Sequence, residues 1–177
     1  MSLITLQGVD YGVGGPLLKD RLFFFAAYEE LVSTRGGITF GPLGSDLTPV
    51  AITPTAIAGA QGIANNTWGF DAGNAEADEA EINVEDSLLK LDANFGERHR
   101  GSLRWSKTEQ AEPLYPTNFN NAISLDSHWY TQAKTIESYV GPRSSDWSEN
   151  FSPALKASYR DNASSTQHNS NLPQLRL

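Results

Sequence analysis

The fold of this 177-residue chain is indicated most clearly by residues 88–107, whose sequence is LLKLDANFGERHRGSLRWSK. Apolar and polar side chains alternate on both sides of a Gly-containing segment, with Leu91 before it and Leu103 after it. Alternation with a period of two is typical of a β-strand that has one apolar face. Two such strands joined by a short turn segment predict an antiparallel β-hairpin.

The register of this hairpin has two solutions, because apolar residues face each other only when an odd number of loop residues separates the strands. A three-residue loop at 96–98 pairs Lys90 with Arg104. A five-residue loop at 96–100 pairs Asp92 with Arg104 instead. We expect the five-residue loop, since it places unlike charges opposite each other.

Other segments also have the length and composition of strands. Residues 22–29 are apolar on both faces, residues 127–140 are extended with a mixed pattern, and residues 151–160 are apolar at alternate positions. The chain contains 15 Gly and 9 Pro, which favour turns and extended segments. We therefore predict a mainly β fold of antiparallel hairpins with about five strands and long loops.

The longest loop is expected at residues 34–83, where the periodicity fades and Gly and Asn are frequent. Within it, Thr53 and Pro54 are suited to begin a short helix that runs through Ala60. Residues 71–86 contain seven carboxylates and no Lys or Arg. Because they lack the spacing of a calcium-binding loop, we favour a solvated loop over a metal site.

Composition excludes several classes of function. The net charge of -8 and the lack of a Lys/Arg-rich run argue against nucleic acid as a partner. The chain has no cysteine, so disulfides, Cys-ligated zinc and thiol nucleophiles are excluded. The apolar run Leu22–Tyr28 is far shorter than the ~20 residues that a membrane-spanning helix needs. Residues 1–4 do not resemble a signal peptide, and we favour a true N-terminus further upstream over a chain that is not exported.

Catalytic motifs are missing from the sequence. His99, His128 and His168 do not have the spacing of a zinc site. The serines lack a Gly-x-Ser-x-Gly motif, and the glycines at 12–15 lack the Gly-Lys-Ser/Thr ending of a phosphate-binding loop. We therefore expect that the chain is not an enzyme and holds no cofactor or metal.

Two segments contain a specific order of residue types. Residues 14–29, GGPLLKDRLFFFAAYE, combine Gly-Gly-Pro, an apolar pair, a Lys-Asp-Arg turn and an aromatic strand. Residues 86–106 form the hairpin with GERHR at its turn. Both segments resemble TonB-dependent outer-membrane receptors, particularly the Oar-like group, in which the first segment leads from the plug domain into the barrel. Pro142 and the polar end at 161–177 depart from that family's pattern.

The resemblance implies an incomplete transmembrane β-barrel in the bacterial outer membrane, since such barrels close with ~22 strands. It implies that residues 1–21 are a linker from a missing plug domain. Residues 22–160 would be a partial barrel that includes the loop 34–83, and residues 161–177 an unassigned polar tail. The implied function is energy-coupled uptake of an unknown small-molecule, peptide or glycan solute. The implied partners are outer-membrane lipid, the plug domain and the TonB system.

The candidate site follows from the alternation in the hairpin. Lys90, Asp92, Asn94 and Arg104 share its polar face with Ser102, and in a barrel whose apolar face meets lipid they would line the lumen. For each of them taken singly, the solvated face of a half-buried sheet is an alternative. The alternative function is a secreted or periplasmic soluble β-domain that binds carbohydrate or protein.

Overall fold

A six-stranded antiparallel sheet forms most of the chain. The computed structural model describes residues 5–77, 79–148 and 150–172. Each long strand pairs with the next one along the chain, in the order β1 (Thr5–Leu18), β2 (Leu22–Gly36), β5 (Glu79–Phe95), β6 (His99–Leu114), β7 (Tyr130–Ser145) and β8 (Ala154–His168). The prediction of a mainly β, antiparallel fold is confirmed, with one strand more than expected.

The additional strand is β1, in a region that we expected to be a linker. It pairs with β2 from Thr5 to Leu18, so the linker prediction for residues 1–21 was wrong over this range. Residues 1–4 lie outside the described part of the chain. The Gly residues of β1 supply no side-chain periodicity. The strand is defined instead by its pairing with the backbone of β2.

The glycines of β1 make room for an aromatic side chain of β2. Gly14 lies opposite Phe25, and the Phe25 ring also approaches Gly12. A Cβ at Gly14 would lie 3.0 Å from both the Phe25 ring and the carbonyl oxygen of Phe24. A Cβ at Gly15 would meet no heavy atom within 4 Å.

These two adjacent glycines provide a matched test of the pairing. Replacing Gly14 by Ala is expected to lower the free energy of unfolding by roughly 1 to 3 kcal/mol, because the added methyl group crowds Phe25. Replacing Gly15 by Ala is expected to be neutral, or to stabilise by roughly 0.5 to 1 kcal/mol. Urea denaturation in detergent micelles measures both. Equal losses of stability would contradict the packing of Phe25 over β1.

The hairpin of β5 and β6 turns through residues 96–98, so the expected five-residue loop was wrong and the three-residue alternative is correct. Gly96 has a φ of 75°, which allows the tight turn. Lys90 lies opposite Arg104, as this register requires. The repulsion is relieved within β5, where Lys90 Nζ lies 2.8 Å from Asp92 Oδ2.

Strand β8 continues to His168, so residues 161–168 of the polar tail that we left unassigned belong to the sheet. Its partner β7 is paired with it from Tyr130 to Ser144. The Asn-, Ser- and Thr-rich sequence of β8 has no apolar periodicity there, so only the pairing reveals the strand. Residues 173–177 and Glu149 lie outside the described part of the chain.

Pro142, which departs from the pattern of the family that the chain resembles, lies within β7. It keeps its register with Lys156 of β8. On the other side of β7, the pairing with β6 is interrupted between Gly101 and Arg104. A proline has no N–H to donate, so the interruption lies where one ladder hydrogen bond cannot form.

The two long connections, residues 37–78 and 115–129, pack together beyond one end of the sheet. The first contains the short strands β3 (Phe40–Gly41) and β4 (Thr48–Pro49), together with the helix α1 (Pro54–Trp68). The expected helix start is confirmed: Thr53 Oγ1 accepts a hydrogen bond from the backbone N–H of Ala56 at 3.2 Å. The helix extends eight residues beyond Ala60 and ends at Gly69, which has a φ of 69°.

Apolar residues from both connections form a small core, which we call the loop core. Its buried members are Val50, Ile57, Ala64, Ala72, Ala75, Ile123 and Leu125. Apart from Ala80, the buried hydrophobic side chains of the described residues all lie outside the six long strands. Within the described residues, no buried hydrophobic core therefore covers either face of the sheet.

Candidate functional site

From β5 to β8 the sheet has two chemically different faces, because side chains alternate along each strand and the registers align the alternation across strands. Strand β2 is apolar on both faces, since Phe23 and Phe25 lie opposite Asp92 and Lys90. The polar face contains Lys90, Asp92, Asn94, Arg104 and Ser102, as predicted, and is continued on neighbouring strands by Arg100, Ser106, Thr108, Ser138 and Lys156. The apolar face is formed by Leu22, Phe24, Leu89, Leu91, Leu103, Trp105, Tyr139, Leu155 and Tyr159.

The predicted site residues are only partly brought together. Lys90, Asp92 and Asn94 line one groove of about 440 Å³ on the polar face, at the end of the sheet near the 96–98 turn. Arg104 lies opposite Lys90 and does not line the groove. Whether this face lines a lumen stays a prediction.

The groove also contains cations that sequence reasoning missed. Arg100 and Lys156 line it together with Lys90, against the single carboxylate of Asp92. We call this the basic groove. Arg143 lies opposite Leu155, so its side chain belongs to the apolar face. Arg100 belongs to the predicted hairpin, but the shorter turn is needed to place it beside Asn94. Lys156 reaches the groove only through the register of β8 on β7, for which the sequence contains no separate signal.

The polar face further from the 96–98 turn is held together by its own side chains. Ser106 and Ser138 share a hydrogen bond of 2.8 Å across β6 and β7, and the hydroxyl of Thr108 donates to the carboxylate of Asp86. Arg35 Nη2 and Glu112 Oε1 form an ion pair at 2.6 Å. These groups are satisfied by one another, in contrast to Arg100 and Lys156 of the basic groove.

The apolar face is half-buried at its centre and exposed toward β8. Leu103 is 54% exposed, and Leu155 and Tyr159 on β8 are 71% and 64% exposed. Leu91 lies between Phe24 on one side and Leu103 on the other. A soluble monomer rarely exposes a large contiguous apolar patch, so this face is expected to contact something apolar.

A hydrogen-bonded cluster marks the boundary of the apolar face. The indole N–H of Trp105 donates to Glu137 Oε1 at 2.6 Å, and the hydroxyl of Tyr139 donates to the same oxygen at 2.7 Å. The same face beyond this level carries an ion pair between Lys107 and Glu109 at 2.7 Å. Amphipathic Trp and Tyr rings are typical of the level at which an apolar environment gives way to water.

The two long connections are joined by polar contacts as well as by the loop core. The backbone N–H of Phe40 donates to Asn118 Oδ1 at 3.2 Å, and Asn118 Nδ2 donates to the carbonyl oxygen of Phe40 at 3.0 Å. Within the second connection, the ring of Tyr115 packs edge-on against Trp129 at 4.8 Å. Burial raises the pKa of Tyr115 above its usual value, so the phenol stays protonated. Its hydroxyl donates to the carbonyl oxygen of Glu79 at 3.3 Å.

Within the described ranges, no three His, Cys, Asp or Glu side chains are grouped to hold a metal ion. In the acidic segment, Asp71 accepts a hydrogen bond from the backbone of Gly73 at 2.9 Å, while Asp78 lies outside those ranges. His99 packs against Trp147, with their ring centroids 5.8 Å apart. The expectation that the chain is neither an enzyme nor a metal protein stays a prediction.

No family model matches this chain, and it is not significantly similar to any curated protein or any solved structure. The helices of the described residues are too short or too polar to cross a lipid bilayer. A function therefore has to be inferred from the chemistry of the two sheet faces.

Proposed function

We propose that this chain forms part of the wall of a β-barrel in a bacterial outer membrane, within a TonB-dependent type of receptor that takes up a solute. In this proposal the apolar face contacts lipid and the polar face lines the lumen. The chain itself is not catalytic. Its partners are outer-membrane lipid, a plug domain and the TonB system.

One observation carries the proposal: the sheet exposes its apolar face, while the buried core lies in the connecting loops. A soluble β-sheet that buries one face packs that face against another layer. Lipid is the environment in which an uncovered apolar sheet face is stable, provided that the other face is polar. The order of short turns at one end and long loops at the other also suits such a barrel.

The resemblance of residues 14–29 and 86–106 supports the receptor type. The sheet supplies six of the ~22 strands that a barrel of this type contains. In this assembly, β1 and β8 pair with strands beyond this sheet, because lipid cannot satisfy unpaired backbone groups at a sheet edge.

A soluble β-domain that binds carbohydrate or protein is the second candidate. The loop core favours it, because Ile123 and Leu125 are fully buried there in the manner of a water-soluble domain. This candidate requires that the apolar face be covered by another protein surface. It predicts a chain that is stable in water without detergent.

The behaviour of the purified chain in water distinguishes the two candidates. We expect the 177-residue chain to self-associate without detergent, because its apolar face and both sheet edges are exposed. In detergent micelles it is expected to be monodisperse with a β-type circular dichroism spectrum. Light scattering and circular dichroism in both conditions provide the measurement. A monodisperse monomer in plain buffer with a cooperative thermal transition would exclude the barrel wall and favour the soluble domain.

A further inference from the structure

The basic groove has an unusual charge for this protein. It contains three cations and one carboxylate, an excess of two positive charges, on a chain whose net charge is -8. A cleft lined by charges of one sign concentrates ions of the opposite sign. The groove therefore differs from the rest of the molecule in the ligands that it attracts.

The carboxylate in the groove already forms an ion pair. Asp92 Oδ2 lies 2.8 Å from Lys90 Nζ, and this pair is the groove's only ion pair among the described residues. Arg100 and Lys156 form no ion pair with any carboxylate in those ranges. Two cations of the groove, Arg100 and Lys156, are therefore available to a ligand.

The shape of the groove follows from the sizes of its side chains. Register places Arg100 beside Ser144 on β7 and, one strand further, Ala154 on β8. Lys156 of β8 lies beside Pro142 of β7, so the shorter side chain of Pro142 lies between Lys156 and β6. Long cationic side chains thus lie around a floor of small residues, and the open groove of about 440 Å³ has room for a small-molecule ligand.

We propose that the basic groove binds a small soluble oxyanion that carries at least two negative charges, such as a phosphate ester or a polycarboxylate. The guanidinium of Arg100 offers paired N–H donors to two oxygens, and Lys156 adds a point charge. This inference deepens the proposed function by naming the class of solute, and it rests on that proposal for the solute's transport. Binding itself requires only the geometry of the groove.

Calorimetric titration of the complete chain in detergent micelles tests the inference. The probes are inorganic pyrophosphate and citrate, titrated at constant ionic strength so that general screening is held fixed. The expected result is that at least one probe binds. Replacing Arg100 or Lys156 by Gln is expected to weaken the binding about tenfold, because each loses a charge-assisted hydrogen bond.

Lys134 provides the matched control. It is an exposed lysine in β7, which forms part of the same sheet, but it lies outside the groove. Lys134→Gln is therefore expected to change the binding constant less than about twofold. Circular dichroism spectra that match the parent chain establish that the variants are folded. Failure of both probes to bind, or an equal effect of all three variants, would overturn the inference.

A second pair of titrations distinguishes a soluble anion from a lipid headgroup as the ligand. Glycerol phosphate represents a soluble ester and a short-chain phosphatidic acid represents a lipid headgroup. A groove on the polar face is expected to bind glycerol phosphate at least as well as the lipid. A tenfold preference for the lipid would overturn the assignment to a soluble anion. Because these titrations do not require a closed barrel, they can fail while the self-association experiment succeeds, and the reverse.

Discussion

Replacing Leu91 by Arg is expected to remove most of the chain's affinity for lipid bilayers. Leu91 lies in the middle of the apolar face, between Phe24 and Leu103. A cationic side chain on the lipid face costs roughly 2 to 4 kcal/mol at the bilayer midplane, and less near the interfaces. This cost corresponds to a decrease in partitioning on the order of 30- to 700-fold. Flotation of the refolded chain with phospholipid vesicles at limiting lipid measures it.

Ser102→Arg provides the control for this experiment. Ser102 adjoins Leu103 in β6, so the same charge is introduced at the same level of the sheet but on the polar face. We expect it to float with vesicles as the parent chain does. If Ser102→Arg lost its lipid affinity while Leu91→Arg kept it, the two faces would be assigned in reverse. If neither variant differed from the parent, the apolar face would not contact lipid.

Replacing Leu125 by Ala is expected to unfold the loop core without dismantling the sheet. The Leu125 side chain is 0% exposed and packs with residues of both long connections. Truncating a fully buried leucine costs roughly 2 to 5 kcal/mol, through lost apolar burial and the cavity that remains. Limited proteolysis is expected to cleave residues 37–78 many times faster, while the circular dichroism of the strands persists.

Leu43→Ala is the matched substitution, since Leu43 lies in the same connection but is 46% exposed. We expect it to leave the cleavage rate within about twofold of the parent chain, because surface substitutions change stability by roughly 0.5 kcal/mol or less. Equal cleavage of both variants would mean that the connections are not held together by the loop core.

The sequence was sufficient for features with a local signal. The strands on both sides of the 96–98 turn were recognised from alternation, and the start of α1 from Thr53 and Pro54. The hairpin register was predicted wrongly, because charges were compared only between residues that lie directly opposite each other on the two strands. The actual structure satisfies Lys90 through Asp92 on the same strand, which a comparison of opposed residues does not include.

Features that depend on long-range pairing were missed. The glycine-rich β1 and the polar second half of β8 have no apolar pattern, and their backbone hydrogen bonds with neighbouring strands define them. The basic groove was missed for the same reason. It combines residues from β5 to β8, so it exists only once three separate registers are known. Lys90, Asp92 and Asn94, which lie on one strand, were the part that sequence could identify.

The two ends of the sheet differ in a way that bears on how the molecule could enter a membrane. One end has short turns at residues 19–21 and 96–98, whereas the other carries the folded connections 37–78 and 115–129. Pulling those connections through hydrocarbon would strip water from many backbone groups, at several kcal/mol for each unsatisfied one. The short turns are therefore the leading end in any insertion. The direction of insertion would then determine which end of the sheet lies on each side of the membrane. This orientation would persist for the lifetime of the protein.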